Sequence, residues 1–124
     1  MSSFTDGLKY KPTGTYSKFG LPEYELLEGF SYRVGSLDNP VWVISVPKGF
    51  VTDFASIPFP ISIWLKPTGP WAKAGALHDW LYRHENDISK VIKDAIFYEA
   101  CLVLKVNHFI AWAFFTILRI VQPA

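Results

Sequence analysis

The sequence predicts an α+β fold, a single domain of 124 residues in which a small antiparallel sheet packs against about three C-terminal helices. Proline and glycine recur before Pro67, so residues 1–66 are predicted to form strands and turns. After Pro70 only Gly75 and Pro123 interrupt the chain, and residues 70–122 are predicted to be helical. The composition, 50% hydrophobic with a net charge of +1, excludes intrinsic disorder.

The predicted sheet comes from two runs that are rich in aromatic and β-branched residues. Glu23–Val34 and Val41–Val46 flank the turn-forming segment Gly35–Pro40, a pattern that is typical of an antiparallel hairpin. Phe50–Phe54 is expected to form another short extended piece. Ile61–Leu65, which lies among prolines, is expected to form one short helical turn.

The three helices are predicted from their start and stop signals. Pro70 is favoured at a first helical position and opens a helix that runs to about His84. Ser89 is a good N-cap for a helix from Lys90 to about Val106, after which Asn107 breaks or kinks the chain. The third helix covers about Phe109–Val121.

Three polar groups stand out against this apolar background. Each has a structural explanation when it is taken alone: a turn that caps backbone N–H groups, a core histidine beside an i,i+4 ion pair of Asp79 with Arg83, and a partly buried helical carboxylate. The groups are Asp53 with Thr52 and Ser56, then His78–Asp79 with Tyr82 one turn later, and Asp94 on the following helix.

Taken together, these residues predict a site. Antiparallel packing of the first two helices would bring His78 and Asp79 beside Asp94, and a folded-over Asp53 loop would add a third carboxylate. Asp53, His78 and Asp94 would then suit a divalent metal such as Zn, Mn or Fe. His78, Asp79 and Asp53 would be the catalytic residues of a hydrolase, surrounded by Thr52, Ser56 and Tyr82. A buried hydrogen-bond network that needs no ligand is the alternative, and it is slightly favoured because no metal motif is complete.

Other chemistries find less support in the sequence. No glycine-rich phosphate loop is present, and the near-neutral charge argues against a nucleic-acid partner. Cys101 lies in the middle of an apolar helix, where we expect an inert thiol. The N-terminal residues contain no apolar run that would serve as a signal peptide.

Three motifs resemble the family of domain of unknown function 1353, which comprises small proteins of tailed bacteriophages and prophages. They are VPxGFxTDFASIP (46–58), ALHDWLY (76–82) and DxxFxxA (94–100). The resemblance covers about residues 46–101, and it departs from the family where Lys93 precedes Asp94 and where Cys101 stands at a common methionine. It implies a phage origin and marks the polar residues as signature positions, without implying a reaction.

Two classes of function follow from the sequence. The first is a virion-associated or assembly component that binds other phage proteins or a second copy of itself. The apolar last helix, with Phe109, Trp112 and Phe115, would be the contact surface; a membrane surface is a further candidate, although the 13-residue apolar stretch is too short for a transmembrane span. The second is a hydrolase directed at the cell envelope, with a divalent metal as its candidate cofactor. We expect the protein in the host cytoplasm during infection or in the virion.

Overall fold

The computed structural model describes residues 2–5, 7–16, 20, 22–35, 38–53, 71–85 and 87–121. Within these ranges it confirms the α+β class, with strands in the N-terminal half and three helices in the C-terminal half. The strands are β1 (Ser3–Thr5), β2 (Tyr10–Tyr16), β3 (Pro22–Leu26), β4 (Phe30–Val34), β5 (Trp42–Val46) and β6 (Val51–Thr52). The helices are α1 (Ala72–His84), α2 (Lys90–Val103) and α3 (His108–Val121).

The predicted hairpin is formed by β4 and β5. Val34 lies opposite Trp42 in the antiparallel register, and the Val41 N–H donates to the carbonyl of Val34 at 2.9 Å. Gly35 turns the chain with a φ of 101°, a conformation that side chains rarely adopt. β1 joins the free side of β4, so that the first sheet has the order β1-β4-β5.

The remaining strands form a second sheet, whereas the sequence predicted one. β3 pairs with β2 on one side and with β6 on the other, all antiparallel. The run Glu23–Val34 is therefore split between two sheets, and the break falls at Leu27–Gly29. A Cβ at Gly29 would lie 2.9 Å from the carbonyl oxygen of Val46, so glycine permits this close backbone crossing.

Helix boundaries differ from the prediction by a few residues. The Ser89 hydroxyl accepts from the Ile92 N–H at 3.4 Å, as expected of an N-cap. α2 ends at Val103, three residues before the predicted end, because Lys105 takes a φ of 62° and reverses the chain. The helical chain breaks before Asn107, as one of the two predicted alternatives, and Asn107 starts α3, since its side-chain oxygen accepts from the Phe109 N–H at 2.8 Å. The expected turn at Ile61–Leu65 lies outside the described residues.

One hydrophobic cluster contains residues of both sheets and all three helices. Aromatic rings connect the helices: Phe114 of α3 packs at 5.8 Å from Phe97 of α2 and at 5.0 Å from Trp71, which precedes α1. Tyr32 of β4 is fully buried, and its hydroxyl donates to Glu99 of α2. Across the part of the chain that the structure describes, no helix is both long and apolar enough to cross a membrane.

Candidate functional site

His78 and Asp94 form a buried pair between α1 and α2. The distance from His78 Nε2 to Asp94 Oδ1 is 2.8 Å, and the two residues are 4% and 0% exposed. Burial lowers the pKa of His78 by more than the hydrogen bond to Asp94 raises it. A neutral imidazole therefore donates its Nε2–H to an ionised carboxylate.

The second oxygen of Asp94 meets two cations. Lys90 Nζ lies 2.6 Å from Oδ2 and Arg119 Nη1 lies 3.3 Å from it. Burial alone would raise the pKa of Asp94, but the hydrogen bonds and charges of His78 and Lys90 outweigh burial and lower it. Lys90 also donates to the carbonyl of Leu118 at 2.9 Å, so this carboxylate holds α1, α2 and α3 together.

Asp79 makes a separate junction between α1 and β6. It accepts from the Thr52 hydroxyl at 2.7 Å and forms the expected i,i+4 ion pair with Arg83 at 3.1 Å. Arg83 also donates to the carbonyl of Val51 at 3.1 Å. Burial raises the pKa of Asp79 to about 6, against the lowering effects of Thr52 and Arg83; the nearby charge of Asp53 raises it as well.

The predicted residues thus form two groups, which are centred on the consecutive residues His78 and Asp79 of α1. His78 contacts Asp94, and the ring of Tyr82 lies 4.9 Å from the imidazole. Asp79 contacts Thr52 and experiences the charge of Asp53, which is 1% exposed. Ser56 lies outside the described residues.

The predicted metal ligands Asp53, His78 and Asp94 do not share a centre. No three histidine, cysteine, aspartate or glutamate side chains come together as a metal-binding group anywhere in the described ranges. The physical reason lies at Asp94, because one oxygen accepts from His78 and the other faces Lys90 and Arg119, whose charges would repel a divalent cation. The arrangement fits the hydrogen-bond network that the sequence offered as the alternative.

Sequence reasoning missed the two cations of this network. The i,i+4 spacing of Lys90 and Asp94 was a signal that could have found the first. Arg119 had no local signal, since its contact depends on how α3 folds back against α2. Cys101 is fully buried, and burial raises the pKa of its thiol to about 12, which agrees with the expectation of a protonated thiol.

The last helix presents an exposed row of large apolar side chains. We call Phe109, Trp112 and Ile120 the apolar stripe; they are 72%, 54% and 72% exposed. At 100° per residue the three lie within an arc of about 80°. Phe115, which was expected on the same surface, instead packs its ring 5.7 Å from Tyr98 of α2.

The fold and its buried ionisable residues define an α+β protein in which Asp79 joins α1 to β6 and Asp94 joins the three described helices. Residues 24–117 match the family described as a protein of unknown function, DUF1353. The match covers most of the chain, which therefore belongs to the DUF1353 family, and the resemblance seen in the motifs is confirmed. No curated protein and no solved structure matches the chain.

Proposed function

We propose that this chain is a non-catalytic binding protein of a bacteriophage or prophage, a virion-associated or assembly component that acts through protein–protein contacts. The observation that carries the proposal is the apolar stripe. Exposed large apolar side chains that lie together mark interaction surfaces, and tryptophan is enriched among the residues that dominate binding energy. The rings of Phe109 and Trp112 lie 6.3 Å apart and would enter one partner site together.

The contacts of Asp94 and Lys90 with α3 support this proposal, because they fix the helix that carries the stripe. Arg119 and Leu118 of α3 are held through Asp94 and Lys90 of α2. The opposite face of α3 is buried through Ala111, Phe114 and Leu118. A rigid helix loses little conformational freedom when it binds, which favours affinity.

The partner that this surface fits is another phage protein with an apolar groove. Binding would take place in the host cytoplasm during infection or in the assembled virion. A second copy of the chain and a membrane surface are the competing occupants. Binding of a second copy would appear as concentration-dependent dimerisation.

The experiment uses the phage or prophage that encodes this chain, with a tagged copy supplied in trans. We expect Phe109→Ser combined with Trp112→Ser to lower incorporation into particles, or the phage titre, at least tenfold, because both anchors are lost. The matched control is Val41→Ser combined with Val43→Ser. It removes two apolar side chains of the strand half of the fold, which are 85% and 42% exposed. Unchanged incorporation and titre for the stripe variant would overturn the proposal.

A second candidate function, hydrolysis, is favoured by the pair Asp53 and Asp79. Two buried carboxylates, one with a pKa raised to about 6, resemble the acid–base pairs of hydrolases. We would measure the release of fragments from peptidoglycan by the purified chain and by Asp79→Asn, with and without added zinc. Cleavage that is lost in Asp79→Asn would support hydrolysis, and equal release from both proteins would exclude this residue as the acid.

A further inference from the structure

A group of positive charges surrounds Tyr82, at a place that shares no residue with the apolar stripe. The ammonium groups of Lys93 and Lys90 lie 5.3 and 5.9 Å from the centre of the Tyr82 ring. Arg119 is close enough to influence the hydroxyl of Tyr82 electrostatically. We call Lys90, Lys93, Arg119 and Tyr82 the cationic cluster.

The charges of this cluster do not balance within the described residues. Lys90 and Arg119 share the single carboxylate of Asp94, and His78 is held neutral by burial. Lys93 is only 7% exposed and contacts the Tyr82 ring without any carboxylate partner in the described part of the chain. Two positive charges therefore remain without a counter-charge among the described side chains, and an anion nearby would interact favourably with them.

The hydroxyl of Tyr82 is a second, independent sign of a missing ligand. Its oxygen is buried and has no hydrogen-bond partner among the residues that the structure describes. Burial raises the pKa of this phenol to about 12, so the group is a neutral O–H donor. A buried donor that is left unsatisfied is destabilising, and native proteins contain few of them.

The position of the two lysines points to the same conclusion. Lys90 and Lys93 occupy the first turn of α2, which contains no acidic residue. The helix macrodipole places positive partial charge at this end, so that lysines here oppose helix stability. An anion at the same place would interact favourably with both ammonium groups and with the helix terminus.

We propose that the cationic cluster binds a dianionic phosphate group, with Lys93 and the Tyr82 hydroxyl as donors beside Lys90 and Arg119. A dianion balances the two surplus charges, whereas a single carboxylate would leave one of them. The side chain of Arg119 is 32% exposed, which connects the cluster to solvent. The site is independent of the apolar stripe and does not rest on the proposed binding function.

The test is calorimetry and thermal unfolding of the full chain at about pH 8, where phosphate is a dianion. Inorganic phosphate and glycerol 3-phosphate are titrated separately, against sodium chloride and acetate at matched ionic strength. We expect saturable binding and a concentration-dependent rise in Tm with one or both phosphates. Tighter binding of inorganic phosphate would identify free phosphate as the source of the group. Tighter binding of glycerol 3-phosphate would identify a phosphate ester.

Three variants locate the site. Lys93→Met removes one ammonium and Tyr82→Phe removes the unpartnered hydroxyl; each should still fold, because neither leaves a new buried charge or cavity. We expect each to weaken phosphate binding about tenfold or more, as the loss of a hydrogen bond to a charged group does. Lys73→Met is the matched control, since Lys73 also lies over aromatic rings, those of Phe4 and Phe30. This variant should bind phosphate as tightly as the wild type.

Several results would overturn the proposal. One is a Tm that rises no more with phosphate than with chloride. Another is equal binding by wild type and Lys93→Met. Equal stabilisation by acetate would overturn the assignment to a dianion.

Discussion

Asp94 is the buried carboxylate that connects the three described helices. It is fully buried and bonded to His78, Lys90 and Arg119. Asp94→Asn keeps the shape of the side chain but leaves two cations without their counter-charge, and we expect a loss of about 3–5 kcal/mol in the free energy of unfolding. Urea denaturation measures this loss, and the control is Asp87→Asn at an exposed residue, which should change stability by less than about 0.5 kcal/mol. A loss below about 1 kcal/mol for Asp94→Asn would show that the carboxylate is not needed as a counter-ion.

Asp79 makes a prediction about pH. Its pKa is raised from 3.8 to about 6, so the folded state holds the proton more tightly than the unfolded state. The resulting stabilisation is fully present below about pH 4 and is lost as the pH rises through 6. His78 has a lowered pKa, which makes stability rise with pH below its ordinary value of 6.5, so the wild-type profile alone would mix two opposite slopes.

Comparison with Asp79→Asn isolates the carboxylate. Relative to wild type, the variant should gain on the order of 2–3 kcal/mol of stability between about pH 4 and pH 7, because wild type alone loses its proton there. Urea unfolding at a series of pH values measures this difference. A difference that stays constant with pH would mean that Asp79 titrates at its ordinary value.

At the scale of elements, the end of α2 contains an unusual residue choice. Val106 N–H donates to the carbonyl of Cys101 and Lys105 N–H donates to that of Leu102, each at 3.0 Å, which is the Schellman pattern. The left-handed position in this pattern is usually glycine, yet here it is Lys105 with a φ of 62°.

Lys105→Gly should therefore stabilise the protein by about 0.5–1 kcal/mol, because relief of the left-handed strain exceeds the added flexibility of the unfolded chain. Thermal or urea unfolding would show the gain. Lys105→Ala retains the strain and is the control, so an equal gain in both variants would assign the effect to the lysine side chain instead.

The same elements show what the sequence can and cannot predict. All three helices were predicted within about three residues, since Ser89 and Asn107 are local signals that act through their own side chains. β2 was missed because Pro12 and Gly14 disfavour strands, and the register shift between Pro12 and Tyr16 is how the structure accommodates them. Helix packing predicted that His78 would meet Asp94, but Arg119 reaches Asp94 through a non-local fold that no local pattern encodes.

For the molecule as a whole, α3 divides its apolar residues between a buried face and an exposed face. Phe114 is 2% exposed and packs on Trp71 and Phe97, whereas Phe109 and Trp112 of the apolar stripe are mostly exposed. Folding removes apolar area from water only on the face that contains Phe114, so only that face contributes strongly to the free energy of folding.

Substitutions on the two faces should consequently separate folding from association. Phe114→Ser should lower the free energy of unfolding by about 3–5 kcal/mol, because it leaves a cavity and a hydroxyl in the core. Phe109→Ser combined with Trp112→Ser should change stability by less than about 1 kcal/mol and reduce the association that light scattering detects at rising protein concentration, or in the presence of a partner. If the stripe variant loses as much stability as Phe114→Ser, the stripe belongs to the core in solution and cannot be the binding surface. Full stability with unchanged association would likewise place the contact elsewhere on the molecule.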